Sequence, residues 1–340
     1  MTLVLIAEGR REIGLGHVFA CMALAGAGRA AGMPTRLLGI GDLALATMRR
    51  FGDAANAYDA DEETLAAMGG EGPDIAVVDV RRPEEFDFAP LARAGYLTCA
   101  LEEFGEGRPE AMVMVNPAPV RAWHRLPDGY RAVLSGLSYL PVRPEYAEVH
   151  ERARAPMPQA RRVLVTMGGV DRTGATLVMA RALGLVHAER PELVGVARFV
   201  CGPGFTYAAS LDRLLAESDL NSEVLTDVPD MWERFFEADL VISAGGNTLF
   251  EAACCGAPSV VFWEDPHERE RGEAAEAAGF ARCFGRGQDT APVDAARILE
   301  DVLDDGTWLA QAGERGRQAV DGRGASRIVS ALVGLCGGRE

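Results

Sequence analysis

The sequence predicts an α/β chain built from two parallel-sheet domains, and three observations carry that prediction. Short apolar runs of strand length alternate with helical stretches through both halves of the 340 residues. Glycine turns follow several of those runs and open amphipathic stretches, as at Gly14-Leu15-Gly16-His17 and Gly245-Gly246-Asn247. The alternation breaks once, at the polar, proline-containing segment 151–161. Strands separated by helices of roughly ten or more residues imply βαβ units, and hence parallel sheets of the Rossmann-like kind. A chain of this length is enough for two domains that each bury a core.

The strand candidates of the first half are residues 3–7, 34–38, 75–79, 96–100, 112–116 and 131–135. Those of the second half are 163–167, 197–201, 222–225, 240–243 and 259–263. An Ala-rich amphipathic stretch from Gly16 to Gly32 reads as the first helix, and residues 292–335 read as helices with no further strand. Pro156 and Pro158 within the polar break mark it as a linker, dividing the chain into 1–150 and 151–340. Both sheets are expected to present their carboxyl ends to a central cleft, where open α/β sheets bind ligands.

Fifty acidic residues against 34 basic give a net charge of −16. That excludes the basic footprint nucleic acid requires and argues against adhesion to anionic membranes. An anionic ligand therefore needs local help from helix N-termini and single arginines. No apolar run approaches the roughly 18 residues of a spanning helix. The N-terminal run meets Glu8-Gly9-Arg10-Arg11 at once and lacks a basic leader, which is unlike a signal peptide. Seven scattered cysteines without a CxxC pair point to reduced, buried thiols and a cytoplasmic protein. Cys254-Cys255 reads as core, and no metal site is expected.

Four motifs carry chemistry. Gly14-Leu15-Gly16-His17 places an imidazole where a strand passes through a glycine turn into a helix. It reads either as a catalytic group or as a helix-start residue. The spacing lacks the third glycine of the dinucleotide fingerprint, where Phe19 or Ala20 stands, so an oxidoreductase is set aside. In Ser243-Ala244-Gly245-Gly246-Asn247-Thr248, backbone N–H groups of Gly245, Gly246 and Asn247 suit a diphosphate. Asn247 or Thr248 caps the helix or meets a phosphate oxygen, and Glu251, one turn deeper, suits ribose hydroxyls. The competing reading is an ordinary glycine turn with a solvated Glu251. Gly168-Gly169 forms a second glycine turn in that half, and Asp171 reads first as a helix cap. Gly136 to Tyr146 holds Tyr139 and Arg143 on an extended path fixed by Pro141 and Pro144, as cleft residues or structural ones. His267 follows a strand end within a charged run, and Asp79 ends another strand, suited to the cleft or to a turn. His124, His150 and His187 read as surface residues.

Together these motifs resemble the UDP-sugar hydrolase family of pseudaminic acid biosynthesis. The matching residues are Gly16-His17, Gly-x-x-Tyr-x-Pro-x-Arg at 136–143, Met-Gly-Gly-x-Asp at 167–171 and Ser-Ala-Gly-Gly-x-Thr-x-x-Glu at 243–251. The resemblance runs from about Leu3 to Gly279. It implies the GT-B fold, shared with the lipid-II-forming N-acetylglucosaminyltransferase: an N-terminal domain, 1–150, with the catalytic His and the sugar or acceptor side, and a C-terminal domain, 151–340, holding the nucleotide-sugar. It makes His17 the general base or water-positioning group, Gly245, Gly246 and Asn247 the diphosphate cradle, Glu251 the ribose ligand, and Gly168 and Gly169 a second flank. The implied reaction is hydrolysis of a UDP-linked amino sugar at the anomeric carbon, without cofactor or metal. The alternatives are a glycosyltransferase on the same scaffold and an inactive nucleotide-sugar-binding protein. The chain departs from the family at Ala20, at Val80-Arg81 after Asp79, and at Glu102-Glu103. The fourth departure is His267-Glu268-Arg269, where the family carries Glu-Asn-Gln or Glu-His-Gln.

Overall fold

A computed structural model describes residues 1–52, 57–59, 74–81, 86–101, 111–117, 129–152, 154 and 161–337. His124, Glu102-Glu103 and most of the expected linker lie outside the described residues. The chain forms two compact units: Met1–Pro144 with Gly322–Glu340, and Glu145–Asp321. Elements are numbered in chain order over the described residues.

The first unit holds β1 (Leu3–Glu8), α1 (Gly16–Ala30), β2 (Thr35–Ile40), α2 (Ala44–Phe51), β3 (Ala57–Asp59), β4 (Ile75–Asp79), α3 (Ala89–Arg93), β5 (Leu97–Leu101), β6 (Val113–Asn116) and β7 (Ala132–Ser135). Its seven strands are parallel in the order β3-β2-β1-β4-β5-β6-β7. Side chains alternate across the sheet, so Leu3, Leu5 and Ala7 enter one core while Val4 and Ile6 enter the other. Covered on both faces, such strands read as unbroken apolar runs. Gly28 brings α1 onto the sheet, since a Cβ there would lie 2.7 Å from Leu3 Cδ2.

The second unit holds α4 (Pro144–His150), β8 (Arg162–Thr166), α5 (Ala175–Glu189), β9 (Val196–Cys201), α6 (Ala208–Ala216), β10 (Ser222–Thr226), α7 (Met231–Glu237), β11 (Leu240–Ser243), α8 (Asn247–Cys254), β12 (Ser259–Trp263), α9 (Pro266–Ala277), β13 (Ala281–Arg286), α10 (Pro292–Asp304) and α11 (Gly306–Ala319). Six parallel strands follow the order β10-β9-β8-β11-β12-β13.

The units do not divide at residue 150. Tyr146 on α4 is buried against Trp232 and Phe235, and His150 Nδ1 lies 3.0 Å from the Cys254 carbonyl, so α4 packs within the second unit. At the other end α12 (Gly324–Gly337) places Ala325, Ile328, Val329 and Leu332 in the core around α1. Residues 322–340 thus belong to the first unit by contact, where the sequence pattern puts them with the second half. Two further strands, β3 and β13, join the expected set.

The same fastening occurs in each sheet. Asp74, just before β4, accepts a hydrogen bond from the Thr2 N–H at 2.6 Å, at the entry to β1. Asp239, just before β11, accepts from the N–H groups of Arg161 and Arg162 at 2.9 and 2.8 Å, and pairs with the Arg162 guanidinium. In each unit a buried carboxylate ties together the starts of the two central strands. All six buried cysteines and the half-buried Cys283 are free thiols. Among the described residues no helix is long and apolar enough to cross a membrane.

Candidate functional site

In each sheet the strand order reverses once beside the first strand, between β1 and β4 and between β8 and β11. Ligands of open α/β sheets bind at the carboxyl ends flanking that point. His17 and Asp79 lie there in the first unit, and the Gly168 and Gly245 turns lie there in the second.

In the first unit β1 leads into a small loop that Gly14 closes, its φ at +88° and its N–H bonded to the Arg10 carbonyl at 2.9 Å. Gly16 begins α1, and His17 stands in the first turn, 8% exposed. Asp79 ends the adjacent β4 at 1% exposure, and its Oδ1 lies 2.6 Å from His17 Nδ1. An ionised carboxylate only accepts, so Nδ1 carries the proton and Nε2 keeps the lone pair. That is the tautomer a general base requires, and the imidazolium formed on proton uptake is stabilised by the same carboxylate. Neighbouring thiols offer no nucleophile. Burial, then the Asp79 charge, pushes Cys21 and Cys99 well above the ordinary thiol value. Tyr139 lies half-buried against the α1 core in a single 3₁₀ turn after Gly136, whose φ is +99°. Arg143 is half-buried just before α4.

In the second unit three glycine turns converge. Gly168, with φ +80°, follows β8, and a Cβ there would lie 3.8 Å from Thr248 Oγ1, so the first turn borders the start of α8. Gly202 and Gly204 follow β9; the Gly204 N–H bonds to the Gly169 carbonyl at 2.9 Å, and a Cβ on Gly202 would strike the Gly168 carbonyl. Gly245 adopts φ +99° after β11, and a Cβ there would lie 2.7 Å from the Glu268 carbonyl. Ser243 is fully buried at the end of β11, and Glu251 is half-buried one turn into α8.

The helix starts beyond β8, β11 and β12 differ sharply. Asp171 closes α5, accepting from the N–H groups of Gly174, Ala175 and Thr176 at 2.7, 3.0 and 2.9 Å. That is the capping role expected of it. Asp265 and Glu268 close α9 with a reciprocal capping box. The cap position of α8 is Gly246, which supplies no side-chain acceptor. Of the three, α8 is therefore the one that starts without a side-chain cap.

His267 donates its backbone N–H to Asp265 within that box, so the motif departure at 267–269 is a helix start. Arg172 meets three carboxylates there, Glu264, Asp265 and Glu268, at 3.1, 3.1 and 3.4 Å. Burial, and then Asp265, pushes Glu268 up to about 7, with Arg172 opposing. Glu264 is also raised, chiefly by burial. Arg271, 7% exposed on α9, donates from Nη1 to Asn247 Oδ1 at 3.1 Å. Sequence reasoning leaves Arg271, Arg172, Gly202 and Gly204 out of the site and gives Asp79 no partner. The Gly-Pro-Gly after strand 197–201 is a legible signal, and the arginines are hidden in charged runs. Among the described residues no three His, Cys, Asp or Glu side chains gather as a metal site would require.

Two Rossmann-like units with these parallel sheets make this a protein of the GT-B fold class. Among solved structures, Acinetobacter baumannii MurG superposes with a TM-score of 0.67 at 16% identity, covering 98% of this chain and 100% of its own. S. aureus MnaA, solved as a co-structure with UDP, gives 0.63 at 14% identity over 99% of this chain and 97% of its own. No family model matches the sequence. An uncharacterized protein of Methanocaldococcus jannaschii is 25% identical over 79% of this chain and 57% of its own length. The spore coat polysaccharide biosynthesis protein SpsG of Bacillus subtilis is 23% identical over 61% of this chain and 60% of its own. The chain thus spans under two thirds of the length of these two relatives. A third, from Solibacter usitatus, is a UDP-N-acetylglucosamine–N-acetylmuramyl-(pentapeptide) pyrophosphoryl-undecaprenol N-acetylglucosamine transferase. It is 25% identical over 80% of this chain and 71% of its own.

Proposed function

We propose that this chain is an enzyme that binds a UDP-linked sugar and transfers the sugar from its anomeric carbon to an acceptor, with His17 as general base. The 2.6 Å contact between His17 and Asp79 carries the catalytic half of that reading. The named activity of the Solibacter usitatus relative supports transfer as the reaction class.

Asp79 holds the imidazole with Nε2 as acceptor, and Nε2 takes the proton from the acceptor hydroxyl as its oxygen attacks the anomeric carbon. The bond from that carbon to the diphosphate oxygen breaks, and its electron pair leaves with UDP. The N–H groups at Gly245, Gly246 and Asn247 stabilise that growing charge, and Gly168 and Gly169 border them. Glu251 takes the ribose hydroxyls. Tyr139, Arg143 and His267 remain assigned to the sugar or acceptor by resemblance alone.

Hydrolysis is the second reading, favoured by the Gly136 to Arg143 motif, and differs only in using water as acceptor. Incubating the protein with a panel of UDP-sugars, diacetamido sugars included, with and without glycan acceptors separates the two. Transfer releases UDP only when an acceptor is present, and hydrolysis releases it alone. UDP binding without release in either arm would leave a binding protein. Glu251→Ala is expected to weaken UDP binding in calorimetry, and unchanged affinity would remove Glu251 from the site.

A further inference from the structure

The strands of the second sheet are parallel, so their starts lie at the end opposite to the Gly168 and Gly245 turns. At that far end the second unit holds a cavity of about 410 Å³, where α9 ends, β13 begins, and α10 and α11 pass. Small-molecule sites run from roughly 300 to 1,000 Å³ and are walled mainly by apolar side chains. Phe284, Ile298 and Trp308 supply that wall here. All three pack against the core of the unit and stay half-buried, and Gly279 and Ala281, also in the lining, fill little of the space.

The wall is held in place by its own contacts. Arg282 Cζ lies 4.4 Å from the centroid of the Trp308 ring, and its Nη2 donates to Asp305 at 2.7 Å. Asp305 in turn accepts the Trp308 N–H at 2.9 Å, and the Phe284 ring stacks on Phe262 at 5.9 Å. Glu276 accepts the Cys283 N–H at 3.1 Å. Arg282 and Glu276 are thus committed to the protein.

Two other charges of the lining are not. Among the described residues, Arg315 on α11 and Asp301 on α10 have no hydrogen-bond or ion-pair partner, and they do not pair with each other. The Arg315 guanidinium lies along the chain at Gly279, whose φ is +80° and where a Cβ would stand 3.2 Å from Arg315 Cζ. A guanidinium is matched by a carboxylate, and a carboxylate by an ammonium. The lining holds two arginines and two carboxylates, so its charge sums to zero and complements a ligand that also carries both signs.

We propose that this cavity binds an α-amino acid with a large apolar side chain. Its carboxylate meets Arg315, its ammonium meets Asp301, and its side chain covers Phe284, Ile298 and Trp308. The site is separate from the glycine turns, and the inference does not depend on the nucleotide-sugar reading.

The test titrates the full chain by calorimetry with L-leucine, L-phenylalanine and L-tryptophan. The amine and the carboxylic acid that each lack one charge of the tightest binder are titrated beside it, tryptamine and indole-3-propionate in the case of tryptophan. At least one amino acid is expected to bind, and each single-charge analogue to bind about 10- to 100-fold more weakly, the worth of a hydrogen bond to a charged group. Arg315→Gln and Asp301→Asn, both at exposed positions, are each expected to weaken the amino acid by a similar factor. Arg315→Gln should leave the amine unaffected, and Asp301→Asn the carboxylic acid. Absence of binding by all three amino acids would overturn the inference. So would an analogue that binds as tightly as its parent, or an amino-acid affinity that neither substitution changes.

Discussion

The two units solve the same topological problem and equip it differently. Each runs its first strand up the middle, reverses its order beside it, and locks the paired strand starts with a buried aspartate, Asp74 or Asp239. At the point of reversal the first unit places two ionisable side chains, His17 and Asp79. The second places glycine backbone, an uncapped helix start and a guanidinium behind it. Backbone donors cannot change protonation state, so the glycine turns of the second unit can hold charge but cannot move a proton. The imidazole, with an N–H on one nitrogen and a lone pair on the other, can do so. On the function proposed above, the shared architecture separates binding from proton transfer, and single substitutions should affect one without the other.

The largest effect is expected at the first unit's pair. His17→Ala should lower turnover by roughly two to four orders of magnitude and leave UDP affinity unchanged. Asp79→Asn, which favours the wrong tautomer, should cost about as much, and the double variant little more than either alone. Near-normal turnover in His17→Ala, or a matching fall in UDP affinity, would break the division of labour. Next come the two aspartate locks. Asp239 accepts two backbone N–H groups and a guanidinium, whereas Asp74 shows one such bond, so the fastenings are unequal. Asp239→Ala should cost about 3 kcal/mol of unfolding free energy and Asp74→Ala about 1–2 kcal/mol, by urea titration. Equal losses would show that the extra partners of Asp239 contribute nothing.

A third effect, seen only as pH changes, is a slope in stability. Burial raises Glu268 from 4.5 to about 7 in the folded chain, so the fold favours its protonated form. Its contribution to stability is fully present below pH 4.5 and is lost as pH rises through about 7. Glu268→Gln keeps a neutral capping partner and should flatten the fall in stability across that window, by on the order of 2 kcal/mol. An unaltered slope would assign it to other groups.

Much of this architecture was legible because central parallel strands must be apolar along their whole length, and strands 75–79, 240–243 and 259–263 stand where their runs place them. Edge strands escape that rule. β3 is three residues long with Tyr58 exposed, and β13 interleaves arginine and glycine with its apolar residues. Pairing with a neighbour makes them strands, and no local pattern announces it. Asp79 lies 62 residues from His17, so their meeting depends on β4 pairing with β1 across two intervening strands. Arg271 sits in a run of Glu and Arg that reads as a solvated face, and only the packing of α9 buries it. The division at 144 and 145 escaped because Tyr146 and its aromatic partners lie far apart in the chain.

The return of α12 to the first unit sets an order of events during synthesis. The second unit is contiguous from Glu145 to Asp321, so all of its residues have been made before α12 leaves the ribosome. The first unit begins earlier yet lacks Ala325, Ile328, Val329 and Leu332 of its core until that helix emerges. At about 5–20 residues per second, the apolar face of α1 waits roughly 15–60 s for its cover. The half of the molecule that is translated first is therefore the half that finishes folding last.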